Sequence, residues 1–260
     1  MIKETLTVSL IQTELHWENP EANRRHFADK IDEITEHTDL IVLPEMFTTG
    51  FSMNAKALAE PTQGTTLQWM QVLAKKRNVA ITGSVIVTEG GHYYNRLFFV
   101  FPDGSHEIYD KKHTFTLAGE HKVYSAGTKR LTLQYLGWNI CPLVCYDLRF
   151  PVWARNTDDY DVLLYVANWP EKRVAAWDAL LKARAIENMC YCIGVNRIGN
   201  DGNGHPYVGH SAVYDVLGHS LAGAAMEGDK TSTFVLDRAH ITDLREQLRF
   251  LMDRDSFQLT

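Results

Sequence analysis

Three short apolar runs in this 260-residue chain each end on a side chain able to do chemistry. Leu40-Ile41-Val42-Leu43-Pro44 leads to Glu45, Ile108-Tyr109-Asp110 to Lys111, and Pro142-Leu143-Val144 to Cys145. In α/β folds reactive groups gather beyond the carboxyl ends of strands, where the backbone leaves the sheet. Cys145 is followed by Tyr146-Asp147-Leu148-Arg149-Phe150-Pro151, which reads as a turn into a short helix. A thiol there can meet backbone N–H groups and a helix field that favour the thiolate. The Tyr146 N–H would point at an oxyanion formed by attack. A carboxylate in the apolar setting of Glu45 needs a partner and suits a general base. With the Lys111 ammonium these groups make a coherent acyl-transfer site. Each also has an ordinary alternative: a small buried thiol, a loop ion pair or helix cap, and a solvated lysine beside Lys112.

The elements that must position these residues are legible from apolar spacing. Met1 to Val8 opens a strand centred on Leu6 to Ile11, with no apolar leader before it. Asn19-Pro20-Glu21 supplies an N-cap, a proline at the first helical position and an early acid. Phe27, Ile31 and Ile34 then form one helical face. Asp39 to Leu43 is a buried strand, Leu67, Met70 and Ala74 mark a second helix, and Val79 to Val87 a following strand. Further strands are expected at Leu97–Phe101, Glu107–Tyr109, Leu131–Tyr135, Trp138–Val144 and Val162–Ala167. A long helix from about Arg173 to Asn188 follows, then strands at Val195, Val208–Val216 and Thr233–Leu236. In that helix Arg184 shares an apolar face with Trp177 and Leu181, so its guanidinium needs Asp147 or Glu187 as a partner. It reads as support for the Cys145 turn. Early βαβ units with a hairpin-rich middle give a mixed α/β fold, sheet on sheet with helices outside. No linker or low-complexity tract divides residues 1–260, so one domain is expected.

Composition narrows the function classes. Lys plus Arg is 26 against 32 Asp plus Glu, a net charge of -6, which offers no broad positive field for nucleic acid or an anionic membrane. No apolar run is long enough to span a bilayer. Cys141, Cys145, Cys190 and Cys192 cluster mid-chain without the spread of a disulfide framework, which points to a cytoplasmic thiol protein. Their spacings also depart from those of zinc sites, so no metal is expected; no cofactor is expected either.

Leu43-Pro44-Glu45, Lys111-Lys112-His113-Thr114-Phe115 and Val144-Cys145-Tyr146-Asp147-Leu148-Arg149-Phe150-Pro151 resemble the three signature blocks of the nitrilase superfamily, in order and over nearly the whole chain. The lysine block matches on Lys-x-His, hence Lys111, with Thr114 where leucine is usual. Gly119-Glu120-His121 is similar to the region carrying a second active-site glutamate. Asn168-Trp169-Pro170, Arg173, Trp177 to Asn188 and Gly194-Val195-Asn196-Arg197 are similar to the ω-amidase branch. The resemblance implies an αββα sandwich, a Glu45-Lys111-Cys145 triad and hydrolysis of the terminal amide of short 2-oxo acids. It also implies a homodimer paired through Phe150–Thr157 and Arg173–Asn188 into a four-layered αββα-αββα assembly.

On that basis Glu45 takes the Cys145 proton, while Lys111 and the Tyr146 N–H hold the oxyanion. Glu120 orients Lys111 or the substrate amide. An anionic substrate needs a local cation, for which Arg173 is expected. Phe47, Phe51, Tyr124 and Trp169 are expected as pocket walls. The competing readings are another amidase, a nitrilase or a carbamoylase on the same triad, a non-catalytic member, and a thiol protease using His113 or His121.

Overall fold

Alternation along the strands decides which way each residue faces. Leu6, Val8 and Leu10 of the strand Thr5–Gln12, with Leu40 and Val42 of Leu40–Val42, enter one core, and Ile41 and Leu43 face another. Leu97 and Phe99 against Phe98 and Val100 repeat the pattern in His92–Val100. This period of two is what a sheet buried on both faces requires. In the computed structural model, which describes residues 2–223 and 226–258, the elements form a mixed α/β sandwich.

Among the described residues the larger sheet has seven strands. Its main path runs Lys230–Asp237, Thr5–Gln12, Leu40–Val42, Ala80–Glu89, His92–Val100 and His106–Asp110, and Glu60–Pro61 pairs with Ala80–Glu89. The second sheet runs Ala212–Tyr214, Tyr191–Asn196, Val162–Ala167, Trp138–Val144 and Leu133–Tyr135. One apolar cluster joins the inner faces of both sheets, from Leu6, Leu40 and Phe99 to Ile140, Val144 and Val166. Helices Pro20–Asp32 and Thr65–Arg77 cover the outer face of the larger sheet through Phe27, Ile31, Leu67 and Met70. Helix Val174–Asn188 packs on the smaller sheet through Trp177, Leu181 and Ala185. A Cβ on Gly194 would lie 2.4 Å from Leu181, so the bare backbone there lets this helix sit flush on its strand. The layers are therefore helix, sheet, sheet, helix.

Most expected elements form, with local differences. The first strand starts at Thr5, and Met1 lies outside the described residues. Asn19 caps the first helix by accepting from the Ala22 N–H at 3.1 Å. Val208–Val216 is not one strand: Pro206–Val208 and Ala212–Tyr214 belong to different sheets. Gly209 and His210 between them take φ +78° and +60°, which no strand continues through. A Cβ at Gly209 would also meet the Gln12 side chain at 2.2 Å. Helix Arg238–Leu248, capped by Asp237, had no sequence-based expectation.

Candidate active site

Glu45 lies just past Leu40–Val42, Lys111 just past His106–Asp110, and Cys145 just past Trp138–Val144. The first two leave the larger sheet and the third the smaller one, so the three strand ends meet at the seam between sheets. Backbone at two of these points is strained. Met46 has φ +42° and Cys145 φ +42°, values that non-glycine residues rarely hold. Around Met46 the conformation is fixed by Ser84, whose hydroxyl accepts from the Met46 N–H at 2.8 Å and whose carbonyl accepts from the Phe47 N–H at 3.2 Å.

The charged centre is closed to water. Lys111 Nζ donates to Glu45 Oε1 at 2.9 Å and to Glu120 Oε1 and Oε2 at 3.0 and 2.9 Å, with all three side chains at most 1% exposed. Burial alone would lower the Lys111 pKa, but Glu120 and Glu45 outweigh it and hold the ammonium above its usual range. Burial pushes Glu120 above the ordinary carboxylate range, with Lys111 pulling the other way. Asn95 Nδ2 donates to Glu45 Oε1 at 2.8 Å, and the Phe115 N–H donates to Glu120 Oε2. The ring of Phe51 lies 5.1 Å from Lys111 Nζ.

Asn168 links Glu45 to Cys145. Its N–H donates to Glu45 Oε2 at 2.8 Å, its side-chain amide donates to the Glu45 carbonyl at 2.5 Å, and its own carbonyl faces Cys145 Sγ at 3.8 Å. Burial, and then the Glu45 carboxylate, push the Cys145 thiol well above its ordinary pKa. This corrects the expectation of a helix-stabilised thiolate. The segment Cys145–Arg149 is a five-residue 3₁₀ turn, too short to offset burial beside a carboxylate. Burial thus favours the protonated thiol of Cys145, with the Glu45 carboxylate beside it. Among the described residues no histidine bonds to its sulfur, and His121 is exposed, which removes the thiol-protease reading.

A cavity of about 690 Å³ opens above this centre, lined in part by Lys111, Cys145, Tyr146, Asn168, Phe51 and Trp169. Arg173 stands at its edge, Cζ 5.1 Å from the Phe115 ring. Arg149 also lines it, Cζ 4.9 Å from the Trp169 ring. Among the described residues neither guanidinium has a carboxylate within 4.0 Å. Arg149 went unsingled by sequence reasoning, although its position four residues past Cys145 was the available signal. The cavity is also lined by Asp201 and His205, from the turn joining strands Ile198–Asn200 and Pro206–Val208, and by Tyr207 of the second strand, a segment that carried no recognisable motif.

Two expectations need correcting, and one open alternative is resolved. Tyr124 does not line the cavity: it packs with Met46 and Ile86 and donates its hydroxyl proton to the Ser52 carbonyl at 2.5 Å. Phe47 lies in the outer core against Phe27, at a centroid distance of 5.4 Å. Of the two partners expected for Arg184, Glu187 is the one it pairs with, at 2.8 Å, and its other nitrogen donates to the Leu148 carbonyl at 2.7 Å. It does contact the turn that carries Cys145. No group of three or more histidine, cysteine or acidic side chains suited to a metal occurs among the described residues.

Comparison with known proteins gives this geometry a family. The carbon-nitrogen hydrolase family model matches residues 7–246. An Omega-amidase YafV of Yersinia enterocolitica is 45% identical over 255 residues, covering 98% of this chain and 99% of its own. A 2-oxoglutaramate amidase of Bacillus subtilis is 34% identical over 226 residues, covering 85% and 87%. The crystal structure of XC1258 from Xanthomonas campestris, a CN-hydrolase superfamily protein with an arsenic adduct in its active site, superposes with TM-score 0.96 at 40% identity, covering 99% of this chain and all of that one. By full-length family match, sequence and fold, the chain belongs to the carbon-nitrogen hydrolases of the nitrilase superfamily.

Proposed function

We propose that this protein is an ω-amidase that hydrolyses the terminal amide of short 2-oxo dicarboxylic acid monoamides, such as 2-oxoglutaramate and 2-oxosuccinamate, to the 2-oxo acid and ammonia. One observation carries the reading: a buried thiol, a buried carboxylate and a buried ammonium lie together at a cavity also lined by Arg149 and Arg173, neither with a carboxylate within 4.0 Å among the described residues. The likeness to an Omega-amidase YafV and a 2-oxoglutaramate amidase supplies the substrate class.

In this mechanism Glu45 takes the Cys145 proton as sulfur bonds to the amide carbon. The oxyanion accepts from Lys111 Nζ and the Tyr146 N–H; one such donor is typically worth about 3 kcal/mol. Collapse breaks the C–N bond, and Glu45 returns its proton to the leaving nitrogen, releasing ammonia. Water then attacks the thioester, Glu45 takes its proton, and the thiolate leaves and is reprotonated. Glu120 holds Lys111 between two carboxylates and keeps its ammonium aimed at the cavity. Arg149 and Arg173 bind the carboxylate end of the substrate, and Trp169 and Phe51 enclose its chain. The scheme draws on no cofactor and no metal.

The same reading treats residues 1–260 as one catalytic domain. No helix among the described residues is long and apolar enough to cross a membrane, and four free thiols suit a cytoplasmic location. Val152 and Ile186 are about half exposed on the two segments that would pair subunits in a homodimer. Sedimentation at micromolar protein tests this; a 29.6 kDa species would count against the dimer.

Ammonia release from 2-oxoglutaramate, measured beside glutamine, a simple nitrile and an N-carbamoyl amino acid, tests the activity. We expect 2-oxoglutaramate to be preferred and Cys145→Ala to abolish turnover while folding normally. Preference for the nitrile or the carbamoyl compound, or an active Cys145→Ala protein, would refute the proposal.

A further inference from the structure

Asp147 is a fully buried carboxylate with no lysine or arginine partner among the described residues, and the reaction scheme does not use it. Four donors satisfy it instead. Oδ2 accepts from the Tyr109 hydroxyl at 2.7 Å and from the Val144 N–H at 3.0 Å. Oδ1 accepts from the His113 N–H at 3.0 Å and from His113 Nδ1 at 2.7 Å. Direction is fixed in this network. Trp153 Nε1 and the Lys112 N–H both donate to the Tyr109 oxygen, at 3.0 and 3.2 Å, so the phenol proton is committed to Asp147. Burial and the adjacent carboxylate hold that phenol above its usual pKa, so it remains a donor.

The placement of the donors matters more than their number. Tyr109 and His113 stand two residues before and two residues after Lys111, and Asp147 stands two residues after Cys145. Val144 precedes the strained Cys145, and the Asp147 carbonyl accepts from the Phe150 N–H at 3.0 Å. One carboxylate thus fixes both flanks of the lysine and both flanks of the nucleophile while touching neither reactive group. His113 closes the assembly by stacking on Phe150, rings 3.6 Å apart and 5° from parallel.

We propose that Asp147 is a positioning residue that holds Cys145 in its left-handed backbone conformation and in register with Lys111, with His113 and Tyr109 as the struts of the brace. A carboxylate is required because all four partners donate. An asparagine would turn an N–H₂ donor toward one pair of them and leave buried donors facing each other. Displacement of reacting groups by about 1 Å typically costs about 100-fold in rate. The loss should therefore fall on kcat more than on KM, because Arg173 lies outside the braced segments, although Arg149 ends the braced turn.

This inference rests on Cys145 being the nucleophile, so the test separates the two ideas. Ammonia release and the rate of Cys145 alkylation by iodoacetamide are measured on folded Asp147→Asn, His113→Gln and Tyr109→Phe proteins, with Cys145→Ala as control. The expected result for Asp147→Asn is kcat lower by about 100-fold, KM changed far less than kcat, and a parallel fall in alkylation. His113→Gln and Tyr109→Phe each remove one strut and should lower kcat by about 3–10-fold at constant KM. If Asp147→Asn does not fold, these two variants decide the matter. Lower melting temperature with unaltered kcat and alkylation in the folded variants would overturn the brace. An active Cys145→Ala protein would overturn the nucleophile assignment beneath it.

Discussion

The base of the cavity and its rim are built by opposite rules. At the base Glu45, Lys111 and Glu120 are closed to water, and Lys111 has three carboxylate oxygens within 3.0 Å. At the rim Arg149 and Arg173 lie over aromatic rings and have no carboxylate within 4.0 Å among the described residues. The base cannot relax, because each charge is held by its neighbours and desolvation penalises any gap. The rim has spare hydrogen-bonding capacity, which is what recognition of an incoming carboxylate needs. A single cavity thus combines a centre fixed for chemistry with an edge left open for binding.

The contrast is broken most severely by Lys111→Met. It leaves two buried carboxylates in contact and removes an oxyanion donor, so kcat should fall by about 10²–10³-fold and stability by about 3–5 kcal/mol. Urea unfolding and turnover of the same preparation check both; a stable, active variant would mean that the centre tolerates an unbalanced charge. Arg149→Met should leave stability within about 0.5 kcal/mol. It should raise KM for 2-oxoglutaramate by about 10–100-fold, with less effect on a neutral amide, since a charge-assisted hydrogen bond is worth about 1.5–3 kcal/mol. The Arg173→Met protein measured alongside shows how the two cations divide the task. The smallest effect belongs to Tyr124→Phe, behind the wall. It deletes the hydroxyl bond to the Ser52 carbonyl and should cost about 1 kcal/mol of stability with kcat unaltered.

The sequence made the base more legible than the rim. Glu45, Lys111 and Cys145 each terminate an apolar run, and a strand end is a position that periodicity can locate. Asn95 and Asn168 were not assignable to the centre in the same way. Their roles depend on amides meeting Glu45 from 50 and 123 residues away, and a single asparagine carries no periodic signal. Arg149 was hidden inside a recognisable block, and Tyr124 was misplaced because an aromatic near the site serves equally well as core. The strand expected across Val208–Val216 failed for a backbone reason, the left-handed pair at Gly209 and His210, which apolar spacing does not report. The partner of Arg184 could not be chosen from spacing either. Asp147 was equally near in principle, but its oxygens are already taken by four donors.

The seam location of the charged centre also orders events during folding. Glu45 and Lys111 come from one sheet, and Cys145 and Asn168 from the other. Neither sheet alone can desolvate the lysine between its two carboxylates or bring the Asn168 amide to Glu45. Pairing over so long a stretch of chain is slow, because loop closure must precede the contacts that reward it. A partly folded chain with only one sheet assembled therefore lacks the Asn168 contacts that join Glu45 to Cys145, and the proposed chemistry requires the two layers to dock.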